Sequence, residues 1–376
     1  MSGRPEGMEM RLAPGATGAA TPQHAEPAPP AGDPPPPPLS GDATAIGVDV
    51  GASRLKLVHV DRSGSILSSA VHPTPRGDTG LQIGERIAVA IAAFRDTTRA
   101  TGAAPSGIGI VVPYFVQGPD WVQRWTTNLP QLEGVALRPV FAEHLGNEIR
   151  TGNDVSAAVI AEHLFGRGQG VRRLLLMAIG TGISIGVMVD GELLQYSWGT
   201  AGDTGHIVVD PDGLEVCTCG GRGCLETVAS GWGLRDQAIR GARRSPGSAL
   251  ATMLEAGQEI TGADVAGAAR RGDELAVRTF QRATHFLAVA LASYLQIFSP
   301  ELIVLSGGVT DSSDLLLDGV RESLQRVASP SRLRTLRGVE LSAFPHMGAA
   351  IGSASLILFP DRYLRSPLPL EAQPTL

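Results

Sequence analysis

Apolar residues in this chain gather in short runs that stop at glycine or at a polar turn. Ala45 to Val50 runs into Gly51, and Leu55 to Asp61 alternates on the way back. Runs of this length, with period two and glycine stops, predict strands joined by tight turns. Arg62-Ser63-Gly64-Ser65 makes the next turn and Ile66 to Val71 a third strand, so three antiparallel strands in succession are expected. The period then changes. From about Gly80 to Ala100, Ile83, Ile87, Val89, Ile91 and Phe94 fall at helical spacing. Gly107 to Val112 reads as a buried strand halted by Pro113.

The same module recurs further on. Leu174 to Ile179 enters the turn Gly180-Thr181-Gly182, and Ser184 to Val189 returns to Asp190-Gly191. Two such hairpins predict an internal duplication with a nucleotide held between the halves. Between them, Ile149 to Asp154 is a short strand and turn opening a helix over Val155 to Phe165. Glu274 to Phe298 is helical, Pro300 to Ser306 is a buried strand ending in Gly307-Gly308, and a helix over Gly348 to Leu358 closes the fold. The segment after Pro360 reads as a loosely attached tail.

The first 43 residues differ in kind. They are rich in Ala, Pro and Gly, include Pro34 to Pro38 unbroken, and lack aromatic residues. Such a segment buries too little apolar surface to offset its ordering entropy, and a disordered tail is expected. It also lacks the basic start and apolar core of a signal peptide. The remainder has room for two domains. A formal net charge of −6, with no basic run interleaved with aromatics, speaks against a nucleic-acid partner. No apolar stretch approaches the roughly 18 residues needed to span a bilayer; Phe286 to Ile297 is broken by Ser293 and Gln296. A cytoplasmic protein is expected.

The chain's three cysteines, Cys217, Cys219 and Cys224, lie in one glycine-rich stretch, with His206 upstream and Glu226 just after. Three buried thiols are the plain reading. The odd count and the tight Cys-x-Cys spacing disfavour a disulfide. Three thiolates and one imidazole are the ligand set of a closed, structural zinc site, with His206 able to turn its other ring nitrogen to a ligand. Asp49-Val50-Gly51-Ala52-Ser53 is either a polar hairpin turn or an anion-binding nest. In the second reading Asp49 holds Mg²⁺ through its water shell, and Lys56 adds a positive charge. Gly180-Thr181-Gly182 offers the same nest from the other half, and Gly307-Gly308 lets a nucleoside lie against the backbone. The Gly-x4-Gly-Lys pattern of P-loops is missing from both turns. Asn153-Asp154 at a helix start is either an ordinary cap or a fixed carboxylate that accepts a hydroxyl proton.

Together these motifs resemble the ROK family of sugar kinases and regulators, over about residues 44–360. The resemblance implies an α/β, two-lobed actin-like ATPase fold of the ribonuclease H-like, hexokinase type, with the zinc knuckle in the larger lobe. It divides the chain into a tail (1–43), a small lobe (44–152, joined by the helix 347–360) and a large lobe (153–346). It implies an ATP-dependent sugar kinase in which Asp154 is the catalytic base. Asn128, Asn153, Asp203, His206 and Glu226 would bind acceptor hydroxyls; Asp49 would serve Mg-ATP. His206, Cys217, Cys219 and Cys224 would hold zinc. A homodimer is expected.

Four departures from the family pattern matter, the first two for the acceptor. Asp203 stands where the family has Glu, and Pro113-Tyr114 where it has Pro-Gly. Gly51-Ala52-Ser53 replaces Gly-Gly-Thr, and Ile183-Ser184-Ile185 replaces glycines, leaving Gly186. Glucose is the default acceptor. A C7-cyclitol phosphorylated on its exocyclic hydroxyl is the alternative, followed by an N-acetylhexosamine. The family's regulators carry a winged helix-turn-helix before the first turn. The 43 Pro/Ala-rich residues here are too few and too poor in helical pattern to form one.

Overall fold

In this computed structural model, the structure describes residues 40–102, 104–112, 115–117, 120–124, 129–195, 202–213 and 215–363. Asn128 and Pro113-Tyr114 lie outside the described residues, as do most of the expected N-terminal tail and the chain after Tyr363.

The predicted antiparallel run is present as β1 (Thr44–Val50), β2 (Arg54–Asp61) and β3 (Ile66–Pro73), followed by α1 (Gly80–Thr101). β4 (Ile108–Val112) leads through a hairpin, β5 (Phe115–Gln117) and β6 (Val122–Arg124), to α2 (Leu137–Leu145). β7 (Ile149–Asn153) runs directly into α3 (Asp154–Phe165). The second half opens with β8 (Arg173–Ile179), β9 (Ile183–Val189) and β10 (Glu192–Leu193). A helical layer follows: α4 (Leu225–Ala229), α5 (Gly231–Ala242), α6 (Ala249–Glu255), α7 (Gly262–Arg270) and α8 (Glu274–Phe298). β11 (Leu302–Ser306), α9 (Ser313–Val327), α10 (Pro330–Leu333) and β12 (Gly338–Leu341) precede α11 (Gly348–Leu358) and α12 (Pro360–Tyr363).

The duplication expected from the two hairpins is a duplication of sheet topology. One sheet runs β3-β2-β1-β4-β7 and the other β10-β9-β8-β11-β12. In each, the central strand pairs antiparallel with its hairpin partner on one side and parallel with a later strand on the other. Parallel sheets of this kind bind ligands beyond the carboxyl ends of their strands, and both glycine turns lie at those ends.

α3 and α11 pack against each other and supply much of the joint between the halves. α11 lies on β1 and β4, while α3 lies on β8 and β9. The seam has almost no side-chain padding: a Cβ at Gly47 would overlap the Ala350 carbonyl, one at Gly109 the Ser353 carbonyl, and one at Gly352 the Ala157 carbonyl. Ser353 adds a hydrogen bond, accepting from the Val48 N–H at 2.9 Å. Among the described residues no helix is long and apolar enough to cross a membrane.

Candidate active site

The β1–β2 register sets Lys56 directly opposite Asp49, and its Nζ lies 2.9 Å from Asp49 Oδ2. Asp49 is buried, so this pairing removes an otherwise costly charge. Its Oδ1 has no partner among the described residues. Between the two strands, the carbonyls of Gly51, Ala52 and Ser53 are all engaged from outside. Thr74 Oγ1 donates to Gly51 at 2.6 Å, Arg76 Nη2 to Ala52 at 3.2 Å, and Thr74 N–H to Ser53 at 3.0 Å. No acceptor takes up the N–H of Ala52 or Ser53 among the described residues. Carbonyls turned to the strap and N–H groups left free make a nest for an anion.

Asn153 and Asp154 divide the work of the helix start. Asn153 is the cap of α3, its Oδ1 accepting from Val155 N–H at 3.0 Å and Ser156 N–H at 3.2 Å. Asp154 is therefore the first helical residue rather than the cap, one position earlier than the sequence pattern predicts. Its Oδ1 also accepts from Val155 N–H, at 2.8 Å, leaving Oδ2 unengaged. Burial, reinforced by the negative charge of Asp49, pushes the Asp154 carboxyl up to about 6, against the lowering pull of the Val155 N–H and Lys56. The residue still keeps partial solvent contact. A carboxylate that is mostly ionised at neutral pH, yet more basic than usual, is suited to accept a proton.

The second turn is braced by packing. Gly180 N–H donates to the Gly182 carbonyl at 2.9 Å, and Thr181 and Gly182 keep N–H groups with no acceptor among the described residues. A Cβ at Gly182 would lie 2.6 Å from Glu226 Oε2. That carboxylate, buried at 8% exposure, accepts from Ile183 N–H at 3.0 Å. Its Oε1 accepts from Trp232 Nε1 at 3.2 Å and Thr218 Oγ1 at 3.5 Å. Gly307, at φ 90°, brings the end of β11 against Ile179, where a Cβ would meet its carbonyl at 2.6 Å. Gly308 and Gly180 face open space. Gly231 N–H donates to the Gly180 carbonyl at 2.8 Å, which seats the start of α5 beside the turn. The two halves meet at Gly186 of β9, whose missing side chain admits the Val155 carbonyl of α3.

His206, Cys217, Cys219 and Cys224 form one cluster with donor atoms all within 4.8 Å of one another. A tetrahedron with metal–sulfur bonds of about 2.3 Å has sulfur–sulfur edges of about 3.8 Å; Cys219 and Cys224 Sγ are 3.7 Å apart. His206 Nδ1 lies 3.2 Å from Cys217 Sγ, while its Nε2 points the other way, 3.6 Å from Asp203 Oδ1. Burial, then the neighbouring sulfurs, push the Cys224 thiol up to about 12. The donor set and its spacing fit zinc.

The structure thus brings Asp49, Lys56, Asn153 and Asp154 to the carboxyl end of the first sheet. Gly180 to Gly182, Gly307-Gly308 and Glu226 gather at that of the second, with His206 and Asp203 on the adjoining knuckle. Glu226, expected from the sequence as an acceptor ligand, ties the knuckle to the second turn. Thr74, Arg76, Thr218 and Trp232 escaped sequence reasoning because they act across loops, with no motif of their own.

A model of the ROK family matches residues 45–359. A glucokinase from Thermotoga maritima is 30% identical over 312 residues, spanning 83% of this chain and 96% of that protein. A ROK family glucokinase from Streptomyces griseus, solved with glucose and AMPPNP, has a TM-score of 0.70 at 29% identity, covering 84% of this chain and 99% of its own. A ROK family transcriptional regulator, a homologue of the Escherichia coli MLC protein, has a TM-score of 0.74 at 28% identity, covering 84% and 78%. The fold alone is therefore common to enzymes and regulators.

Proposed function

We propose, from the fact that this chain belongs to the ROK family, that it is a glucokinase-like sugar kinase moving the γ-phosphate of ATP to a primary hydroxyl of a hexose or hexose-like polyol. A sugar kinase of the actin-like ATPase fold, a phosphotransferase with an alcohol acceptor, is what its glucokinase relatives support. The observation that carries the reading is Asp154, a carboxyl raised to about 6 beside Asp49 and two turns with free N–H groups.

In this reading the Ala52 and Ser53 amides on one side, and the Thr181 and Gly182 amides on the other, receive phosphate oxygens. Asp154 accepts the proton of the attacking hydroxyl as the phosphoryl group transfers, which asks of the protein mainly alignment and charge neutralisation. Asn153 spends its Oδ1 on the cap and keeps its NH₂ for the acceptor. Asn128, Asp203, His206 and Glu226 complete the acceptor contacts, and Gly307-Gly308 supports the nucleoside. Magnesium would be held at Asp49, with Oδ2 already on Lys56 and Oδ1 open, and supplies charge neutralisation on the phosphates. Zinc would be held by His206, Cys217, Cys219 and Cys224, fixing the ring so that Nε2 faces the acceptor. The small lobe (44–152 with 347–360) and the large lobe (153–346) would close over both substrates. We take the protein to act in the cytoplasm as a homodimer, without nucleic acid; the three free cysteines accord with that compartment.

Asp203 favours a second acceptor. One methylene shorter than the family's Glu, it stands 66% exposed, 3.6 Å from His206 Nε2, and this departure from the family is the ground for a C7-cyclitol acceptor. Nucleotide consumption against a panel of hexoses, N-acetylhexosamines and cyclitols tests both readings. Acceptor-dependent ADP formation that Asp154→Asn removes is the expected result. ATP left untouched with every polyol would reject the kinase, and a preference for glucose would reject the cyclitol.

A further inference from the structure

The strap that follows β3 does more than hold the first turn. Thr74 alone secures two of the turn's three carbonyls, through its N–H and its Oγ1. Arg76 secures the third with a single Nη2–H, at 3.2 Å from the Ala52 oxygen. A guanidinium has five N–H donors, and Arg76 is exposed with no carboxylate partner among the described residues. The other cations near the turn are differently placed. Lys56 is committed to Asp49, and the Arg54 side chain makes no hydrogen bond that would fix it. Arg86 donates to the Arg76 carbonyl rather than to the turn, so among the described residues Arg76 is the positive charge that is both hydrogen-bonded to this turn and unspent.

We infer that Arg76 is a phosphate-binding residue, contacting the terminal phosphates of the nucleotide donor with the guanidinium face it does not spend on Ala52. The inference rests on reading Gly51 to Ser53 as the phosphate nest. A polar brace would need only one donor; an arginine brings a full charge and a planar fork matched to phosphate oxygens. Its contact with the Ala52 carbonyl sets the guanidinium in place before the nucleotide arrives, so little side-chain freedom is lost on binding.

Steady-state kinetics and ATP binding of the full-length protein test this with Arg76→Gln and Arg76→Lys. Loss of one charge-assisted contact should raise the KM and Kd for ATP about tenfold in Arg76→Gln, with the acceptor KM and the melting temperature unchanged. Arg76→Lys, which keeps the charge but not the fork, should recover part of that loss. Added salt should weaken ATP binding to the wild type more than to the Gln variant. Wild-type ATP affinity in Arg76→Gln overturns the inference. So does equal loss in both variants with a lowered melting temperature, which would make Arg76 a brace only. A wild-type protein that turns over while the variants match it removes Arg76 alone; one that neither binds nor consumes ATP removes the kinase reading with it.

Discussion

The two glycine turns occupy equivalent places in sheets of the same strand order, yet they are held in opposite ways. The first, Gly51 to Ser53, is braced by polar contacts from one short strap and by the Asp49–Lys56 pair across the hairpin. The second, Gly180 to Gly182, is braced by close packing on Glu226 and, through Thr218, by the Cys/His knuckle. Duplication accounts for the scaffold in both halves. The bracing was built separately, by a polar strap and an ion pair at one turn and by a buried carboxylate at the other.

The largest expected effect comes from the residue that stands between the halves. Asp154→Asn should lower kcat by roughly 10²–10⁴-fold, the range of a lost general base, with ATP affinity retained in a direct binding measurement. It should not weaken the fold. The folded-state value of about 6 lies above the ordinary 3.8, so the native state holds this proton more tightly than the unfolded chain. That advantage is full below pH 3.8 and disappears as pH rises through about 6. At pH 7 the native state carries the charge at a cost that Asn does not. A lowered melting temperature at pH 7 would contradict this account.

Next in size is the metal. Cys219→Ser, or strong chelation, should lower the melting temperature by about 10 °C or more and release one zinc per chain by elemental analysis. The second turn should suffer and the first should not. Gly182→Ala sharpens the same contrast, because its methyl would meet Glu226 Oε2 at 2.6 Å. A cost of about 1–3 kcal/mol in denaturant unfolding is expected. The pH profile of kcat/KM should show an acidic limb near 6. Lys56→Met should move that limb upward, since Lys56 lowers the Asp154 value; an unmoved limb would separate Lys56 from the site. The smallest effect belongs to Thr218→Val. It removes two long contacts, of 3.5 Å to Glu226 and 3.9 Å to Cys217 Sγ, and should cost no more than about 1 kcal/mol.

Strands, hairpins and the long helices were legible because period and glycine stops report backbone geometry locally. Asn153-Asp154 could be located, but the division between cap and free carboxylate could not, since both residues satisfy the cap pattern. The knuckle was legible because its donors crowd into one stretch of sequence. Glu226 was marked as an acceptor ligand, whereas its bond to Ile183 N–H crosses 43 positions and no local pattern carries it. The strap at Thr74 and Arg76 was invisible for the same reason. The β5–β6 hairpin, α2, α6 and α7 are short, whereas α9, 15 residues long with Leu316, Val320 and Leu324 on one buried face, carried a legible pattern that went unread.

The bare seam of Gly47, Gly109 and Gly352 has a mechanical consequence. Ordinary interfaces slide because side chains can change rotamer and refill gaps, but backbone pressed on backbone has no such slack. Whatever movement admits and releases substrates must therefore carry α11 and the first sheet as one piece. Gly352 on the Ala157 carbonyl ties α3 into that piece as well.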